Sequence, residues 1–293
     1  MILLACSCAQ AFAAKCGGNP TALGTKRDLA ISPSELSHIG TLQYKQTLPL
    51  RDHEVVLTFD DGPLPPYTNI ILDILKSKCV KANYFLIGKM AQAFPYLVRR
   101  IYDDGHTVGT HSLDHPLAFE RLPLDRMEYE VKGGIAAVDQ AMGDSNAVAP
   151  FFRIPGFGRS EAIDSYLASQ SLVTWSTDVV ADDWLRNITP DEIVRRAMTR
   201  LDEKGKGVLL LHDIHPATVM ALPGLLAALK GKGYSVVHVV PDGQTPKSVS
   251  ELPAPSSSRN GLWPRVILSN ISSTPLMHSN NGQIKKFFAR KIH

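Results

Sequence analysis

The chain has 293 residues, of which 44% are hydrophobic and 20% charged, the balance of a globular protein with a core sufficient for one large domain or two ordinary ones. Its net charge is only +3, and no Lys/Arg run lies in the body of the chain, the basic stretch KKFFARKIH being confined to the last nine residues. That balance argues against a nucleic-acid partner, and no apolar run approaches the roughly 20 residues of a transmembrane segment.

Taken in chain order, residues 1–14 read MILLACSCAQAFAA, a short stretch of apolar and small residues. Ala11-Phe12-Ala13 puts small residues at the two positions a signal peptidase reads. Residues 1–13 are therefore expected to be a signal peptide and the protein to be exported, to the periplasm, envelope or medium. No basic residue precedes the apolar run, so the signal is atypical or the start lies further upstream; a buried N-terminal strand or helix is the alternative, and Leu3-Leu4-Ala5-Cys6 also faintly resembles a lipoprotein cleavage site. Loss of the signal leaves Cys16 and Cys79, which can pair in an oxidising compartment or stay as buried thiols.

Residues 14–52 are polar and weakly patterned and read as an N-terminal arm lying on the domain. From residue 53 to residue 240 short β-rich runs alternate with amphipathic segments. The predicted strands are 55–59, 82–88, 106–110, 151–154, 172–179, 207–212 and 234–240; the predicted helices are centred on 67–79, 90–104, 124–142, 160–170, 190–204 and 217–231. Leu97, Val98 and Ile101 repeat at helical spacing. Thr189-Pro190 reads as a capped helix start, and Gly105 and Gly233 sit where helices should stop. Strands alternating with helices imply βα units and a parallel sheet. The fold class is α/β, a (β/α) barrel of about seven strands, distorted or incomplete. No GxGxxG or Walker loop supports an open doubly wound sheet. Residues 241–293 form a Pro/Ser-rich C-terminal extension in which Leu262–Leu268 can add a strand.

Polar clusters end several of these strands: Asp60-Asp61, His111 with His115, Arg153, Asp178 and His212-Asp213. In a (β/α) barrel the C-terminal strand ends converge on one face, where catalytic groups gather. Each cluster alone has an ordinary structural reading; together they are hard to ascribe to chance. Asp60 and Asp61 repel unless a cation lies beside them, and Gly62-Pro63 allows a turn that aims both acids into the mouth. His111 and His115, four apart, can face one ion from a single turn, and Asp61 completes a His-His-carboxylate set with room left for water. Such a centre acidifies water and polarises a carbonyl. His212, ending the apolar strand GVLLLH, can be tuned as an acid or base near neutral pH.

These residues resemble the ordered motifs of the polysaccharide deacetylase family, the NodB-homology group or carbohydrate esterase family four. The motifs are TFDDGP (58–63), HSLDH (111–115), Phe152-Arg153-Ile154-Pro155, the acidic segment Asp178–Trp184 and Leu210–Asp213. The resemblance implies hydrolysis of acetyl groups on an acetylated glycan of the chitooligosaccharide or peptidoglycan kind. It makes Asp60 the catalytic base and Asp61, His111 and His115 the ligands of a divalent metal, zinc first and cobalt or nickel next. It makes Arg153 the residue that orients the base, and Gly156 the backbone donor to the oxyanion. His212 is then the general acid with Asp178 as its partner, and Trp184 and Leu210 line the groove for the acetyl methyl. Two departures stand out. Gly156 occupies a position that is usually aromatic, with Phe157 one later. The fourth motif is also longer than usual, which leaves Asp182 and Asp183 as alternatives to Asp178. The rivals to an N-deacetylase are an O-acetyl esterase of the xylan type, a glycan-binding module without catalysis, and a structural envelope protein.

Overall fold

The computed structural model describes residues 19–143 and 147–243. The signal peptide expected at residues 1–13, Cys16, the extension from residue 244 onward and its expected strand at Leu262–Leu268 lie outside them. The strands are β1 (Thr25–Ile31), β2 (His38–Ile39), β3 (Glu54–Asp60), β4 (Asn83–Leu86), β5 (Thr107–Thr110), β6 (Phe151–Arg153), β7 (Val173–Trp175), β8 (Val179–Val180), β9 (Gly207–His212) and β10 (Ser235–Pro241). The helices are α1 (Tyr67–Ser77), α2 (Gly88–Ala93), α3 (Pro95–Asp103), α4 (Leu124–Met142), α5 (Glu161–Ser169), α6 (Pro190–Lys204) and α7 (Pro216–Gly231).

Local chemistry sets several of these bounds. The Thr189 hydroxyl accepts the Glu192 N–H ahead of Pro190 at the start of α6, a cap of about 1 kcal/mol. The single helix expected over 90–104 is two helices, because Pro95 opens α3 at its first turn and cannot donate into a helix continuing from α2. The single strand expected over 172–179 is also broken. The Ser176 N–H goes to the Ile39 carbonyl, whereas the Asp178 N–H goes to the Val208 carbonyl, so β7 and β8 bond to different neighbours.

Every ladder is parallel. One edge of β3 carries β9, in register from Val55↔Gly207 to Asp60↔His212. Its other edge carries β10 at Glu54 and Val55 and β4 at Thr58–Asp60. The sheet continues through β5, β6 and β7, while β8 joins the far edge of β9. Strands β3 to β9 therefore make the seven-stranded barrel. It is open, since among the described residues no ladder joins β7 to β8.

The segment ahead of the barrel enters this sheet: β2 pairs with β7, and β1 pairs with β10 along its length. The 234–240 run is thus a strand, yet it leaves the ring to pair mainly with β1 rather than closing the barrel. Alternation along each strand separates an outer from an inner apolar cluster, and a third cluster gathers Phe119, Phe152, Ile163 and Leu167. Val55, Leu57, Phe59, Leu209 and Leu211 pack outward with helix residues such as Leu72, Leu225 and Leu201. Val56, Phe85, Phe151, Trp175 and Val208 form the inner cluster. Cys79 is disulfide-bonded. No helix among the described residues is long and apolar enough to cross a membrane.

Candidate active site

The inner face of each strand leads directly to the site. Two steps of two residues beyond Val56 lies Asp60, and two such steps beyond Val208 lies His212; the period of two keeps them on the inner face. The ladder pairs them as neighbours. Arg153 lies one inner step beyond Phe151 and is fully buried. Its guanidinium donates to Asp60 Oδ1 at 2.6 Å, to Thr58 Oγ1 at 2.9 Å and to the Ser176 carbonyl at 2.9 Å, and lies 4.2 Å above the Phe85 ring. Burial pushes the Asp60 carboxyl up to about 6, against the pull of Arg153 and His212.

Alternation would turn Asp61 outward, but its φ of 76° reverses the chain there and brings its carboxylate to the mouth as well. Asp61 Oδ1 is 3.6 Å from His111 Nε2 and 3.3 Å from His115 Nε2, and the two Nε2 atoms are 3.1 Å apart. His111 Nδ1 donates to the Arg153 carbonyl at 2.6 Å, which fixes a tautomer whose Nε2 lone pair faces Asp61 and His115. Burial and the neighbouring His115 hold His111 well below the usual imidazole range, in the neutral form a metal ligand requires. One atom from each of Asp61, His111 and His115 lies within 4.8 Å of the others. The three buried donors fit a divalent cation of the zinc type with an open position. Asp60 Oδ2 stands 3.7 Å from His111 Nε2, so it flanks this cluster.

The second titratable pair is His212 with Asp183. His212 Nδ1 lies 2.8 Å from Asp183 Oδ1, while Asp183 Oδ2 accepts the His212 backbone N–H at 2.7 Å and the Thr218 hydroxyl at 2.6 Å. Burial disfavours the imidazolium, but Asp183, Asp61 and Asp60 outweigh it and raise His212 to about 9. Burial likewise works against the Asp183 anion, and His212 with Thr218 more than compensates, so its carboxyl lies below the usual range.

The expectation that Asp178 partners His212 is corrected here. Asp178 is level with Val208, whose N–H its Oδ2 accepts at 2.8 Å. That is four residues before His212 on β9, roughly 13 Å at ~3.3 Å per residue. Asp178 instead accepts the Thr41 N–H and hydroxyl at 2.8 and 2.9 Å and the Thr47 hydroxyl at 2.8 Å. Because the fourth motif is long, the chain climbs through β8 before it delivers an acid to the mouth. Asp182 is drawn away to Arg196 and Arg200, each at 2.8 Å.

Of the remaining expected residues, Leu210 is buried one inner step below His212. Trp184, 43% exposed, meets the His212 ring edge-on at 5.5 Å between centroids. Gly156 lies in the 3₁₀ turn Pro155–Phe157 directly after β6, with φ of 60°. Two supporting residues carried no readable signal in the sequence. Glu130, buried in α4, accepts the Asp114 N–H at 2.8 Å and so steadies the loop bearing His115. Thr68 donates to Asp213 Oδ2 at 2.6 Å, and burial lifts that carboxyl to about 7.

Fold and site together define a class: an open (β/α) barrel whose mouth carries a His-His-Asp cluster flanked by a buried acid and a carboxylate-backed histidine. A profile of the polysaccharide deacetylase family matches residues 48–174. A peptidoglycan-N-acetylglucosamine deacetylase of Bacillus cereus is 35% identical over 187 residues, 61% of this chain and 66% of the relative. Another protein of that name from the same species is 32% identical over 232 residues, 76% of this chain and 80% of the relative. Among solved structures, a Bdellovibrio bacteriovorus peptidoglycan deacetylase matches with a TM-score of 0.67 at 29% identity, over 76% of this chain and 61% of that one. The chain belongs to the polysaccharide deacetylase family. It spans just under two thirds of the length of the first relative and of the solved structure.

Proposed function

We propose that this protein is an exported, metal-dependent N-deacetylase that releases acetate from N-acetylated sugar units of a peptidoglycan-type glycan. One observation carries the reading: Asp61, His111 and His115 converge within 4.8 Å in the mouth that also holds the Asp60–Arg153 and His212–Asp183 pairs. The names of the similar proteins, peptidoglycan deacetylases, supply the substrate class, and a cell-wall substrate accords with the signal peptide expected at residues 1–13.

Asp61, His111 and His115 would hold a divalent cation, zinc in this reading with cobalt or nickel as substitutes, which would supply polarisation of the acetyl carbonyl and a more acidic water. Asp60, held in place by Arg153, takes the proton as water attacks the acetyl carbon. The Gly156 N–H donates to the developing oxyanion; a single such donor is worth about 10²–10³ in rate. His212, protonated through its contact with Asp183, gives its proton to the departing amine, and acetate and a free amino sugar result. Trp184 and Leu210 line the groove for the acetyl methyl.

The test is acetate release by the zinc-reconstituted protein from peptidoglycan, chitooligosaccharides and acetylated xylan. Release from the N-acetylated glycans is expected. Release from xylan alone would make it an O-acetyl esterase, and glycan binding with no release a non-catalytic module.

A further inference from the structure

We infer that Gln43, which lies ahead of the barrel, is a positioning residue for the turn that presents the Gly156 N–H. The inference rests on the reading of Gly156 as oxyanion donor given above. Gly156 and Phe157 have φ values of 60° and 58°, two left-handed residues in succession. Glycine adopts that conformation freely, whereas a bulky aromatic residue does so only when its surroundings hold it there. The Phe157 carbonyl accepts a hydrogen bond from Gln43 Nε2 at 2.6 Å. If Phe157 leaves the left-handed region, the turn from Pro155 to Gly158 reorients and takes the Gly156 N–H with it.

Gln43 is itself firmly held. Its carbonyl accepts from Arg159 at 3.2 Å, and the Leu42 N–H donates to the Thr177 carbonyl at 2.9 Å. Gly40 approaches the Thr177 backbone so closely that a Cβ there would lie 2.4 Å from the Thr177 nitrogen. Thr41 and Thr47 are bound by the Asp178 carboxylate. Asp178 thus acts at a distance: it anchors the arm, the arm aims Gln43, and Gln43 fixes Phe157. Residue 43 precedes the matched span 48–174, and its partner is the Phe157 that stands one place later than the family's aromatic residue.

The experiment compares wild type, Gln43→Ala, Gln43→Glu, Phe157→Gly and Gln43→Ala/Phe157→Gly as zinc-loaded full chains, by acetate-release kinetics and by deuterium uptake of residues 155–159. Both Gln43 variants lose the donor, so each should lower kcat by about 10- to 100-fold, up to the scale of a misplaced or lost oxyanion donor. KM and zinc affinity should stay within about 2-fold, because ground-state binding is untouched. Uptake at 155–159 should rise. In the Phe157→Gly background the Gln43→Ala loss should shrink below about 3-fold, since glycine adopts the left-handed conformation without the steric cost that the Gln43 contact offsets. An unchanged kcat, unchanged uptake, or an equal loss in both backgrounds would overturn the inference. A wild type inactive on every glycan would sink the deacetylase reading instead, and the deuterium measurement would still decide whether Gln43 holds the turn.

Discussion

At the scale of single residues, the site separates two acid–base pairs by their environments. Asp60 is a buried carboxylate kept next to a guanidinium; His212 is a buried imidazole kept next to a carboxylate. Asp60→Asn preserves shape and most hydrogen bonds but removes the proton acceptor. It should lower acetate release by at least about 10²-fold while calorimetry still finds one zinc bound; an unaffected rate would exclude Asp60 as the base. In the proposed mechanism His212 acts in its protonated form, so the rate should fall as pH rises through about 9, the value to which Asp183 and the other acids lift it. Asp183→Asn removes the main counter-charge, and the alkaline limb of the pH–rate profile should move down toward the ordinary imidazole range. Asp178→Asn should leave that limb in place, because Asp178 is bonded to Thr41, Thr47 and Val208. A limb that shifts with Asp178 and not with Asp183 would contradict the pairing.

Secondary-structure elements decide how much of this was readable beforehand. The acids and histidines that end β3 and β9 announce themselves because one apolar strand supplies both the core and the site, and a period of two extends from Val56 to Asp60 and from Val208 to His212 without outside information. The spacing of His111 and His115 is equally local. What decides between Asp178 and Asp183 is not local: it is the height at which the β8 strand joins β9, Val179 opposite Leu209. The β1 strand was hidden for a different reason. TKRDLAI alternates intermediate and exposed positions for most of its length, the pattern of an edge with little to bury.

The α4 helix shows the same dependence on packing. Gly134 lies so close to the His-bearing loop that a Cβ would be 2.7 Å from the Ser112 carbonyl carbon, a backbone atom. Gly134→Ala should therefore push α4 and the 112–115 loop apart and weaken zinc binding by about 10-fold or more, a loss comparable to removing a residue that orients a ligand. Zinc affinity equal to that of wild type would show that the loop does not depend on α4.

For the molecule as a whole, the barrel is open between β7 and β8, and the preceding segment enters the gap region through β2 and the Thr41–Asp178 bonds. The three apolar clusters involve none of the three proposed ligands. Chelation should consequently abolish turnover while the far-ultraviolet circular dichroism stays native, and zinc should restore the rate; loss of the fold on chelation would point to a structural metal. The most direct measurement is acetate release from peptidoglycan by metal-free protein titrated with zinc. The rate should climb linearly and break at one equivalent, with no such break after His115→Ala. Full turnover without added metal, or no acetate at any zinc ratio, would contradict a single cation held by Asp61, His111 and His115 beside Asp60 and His212.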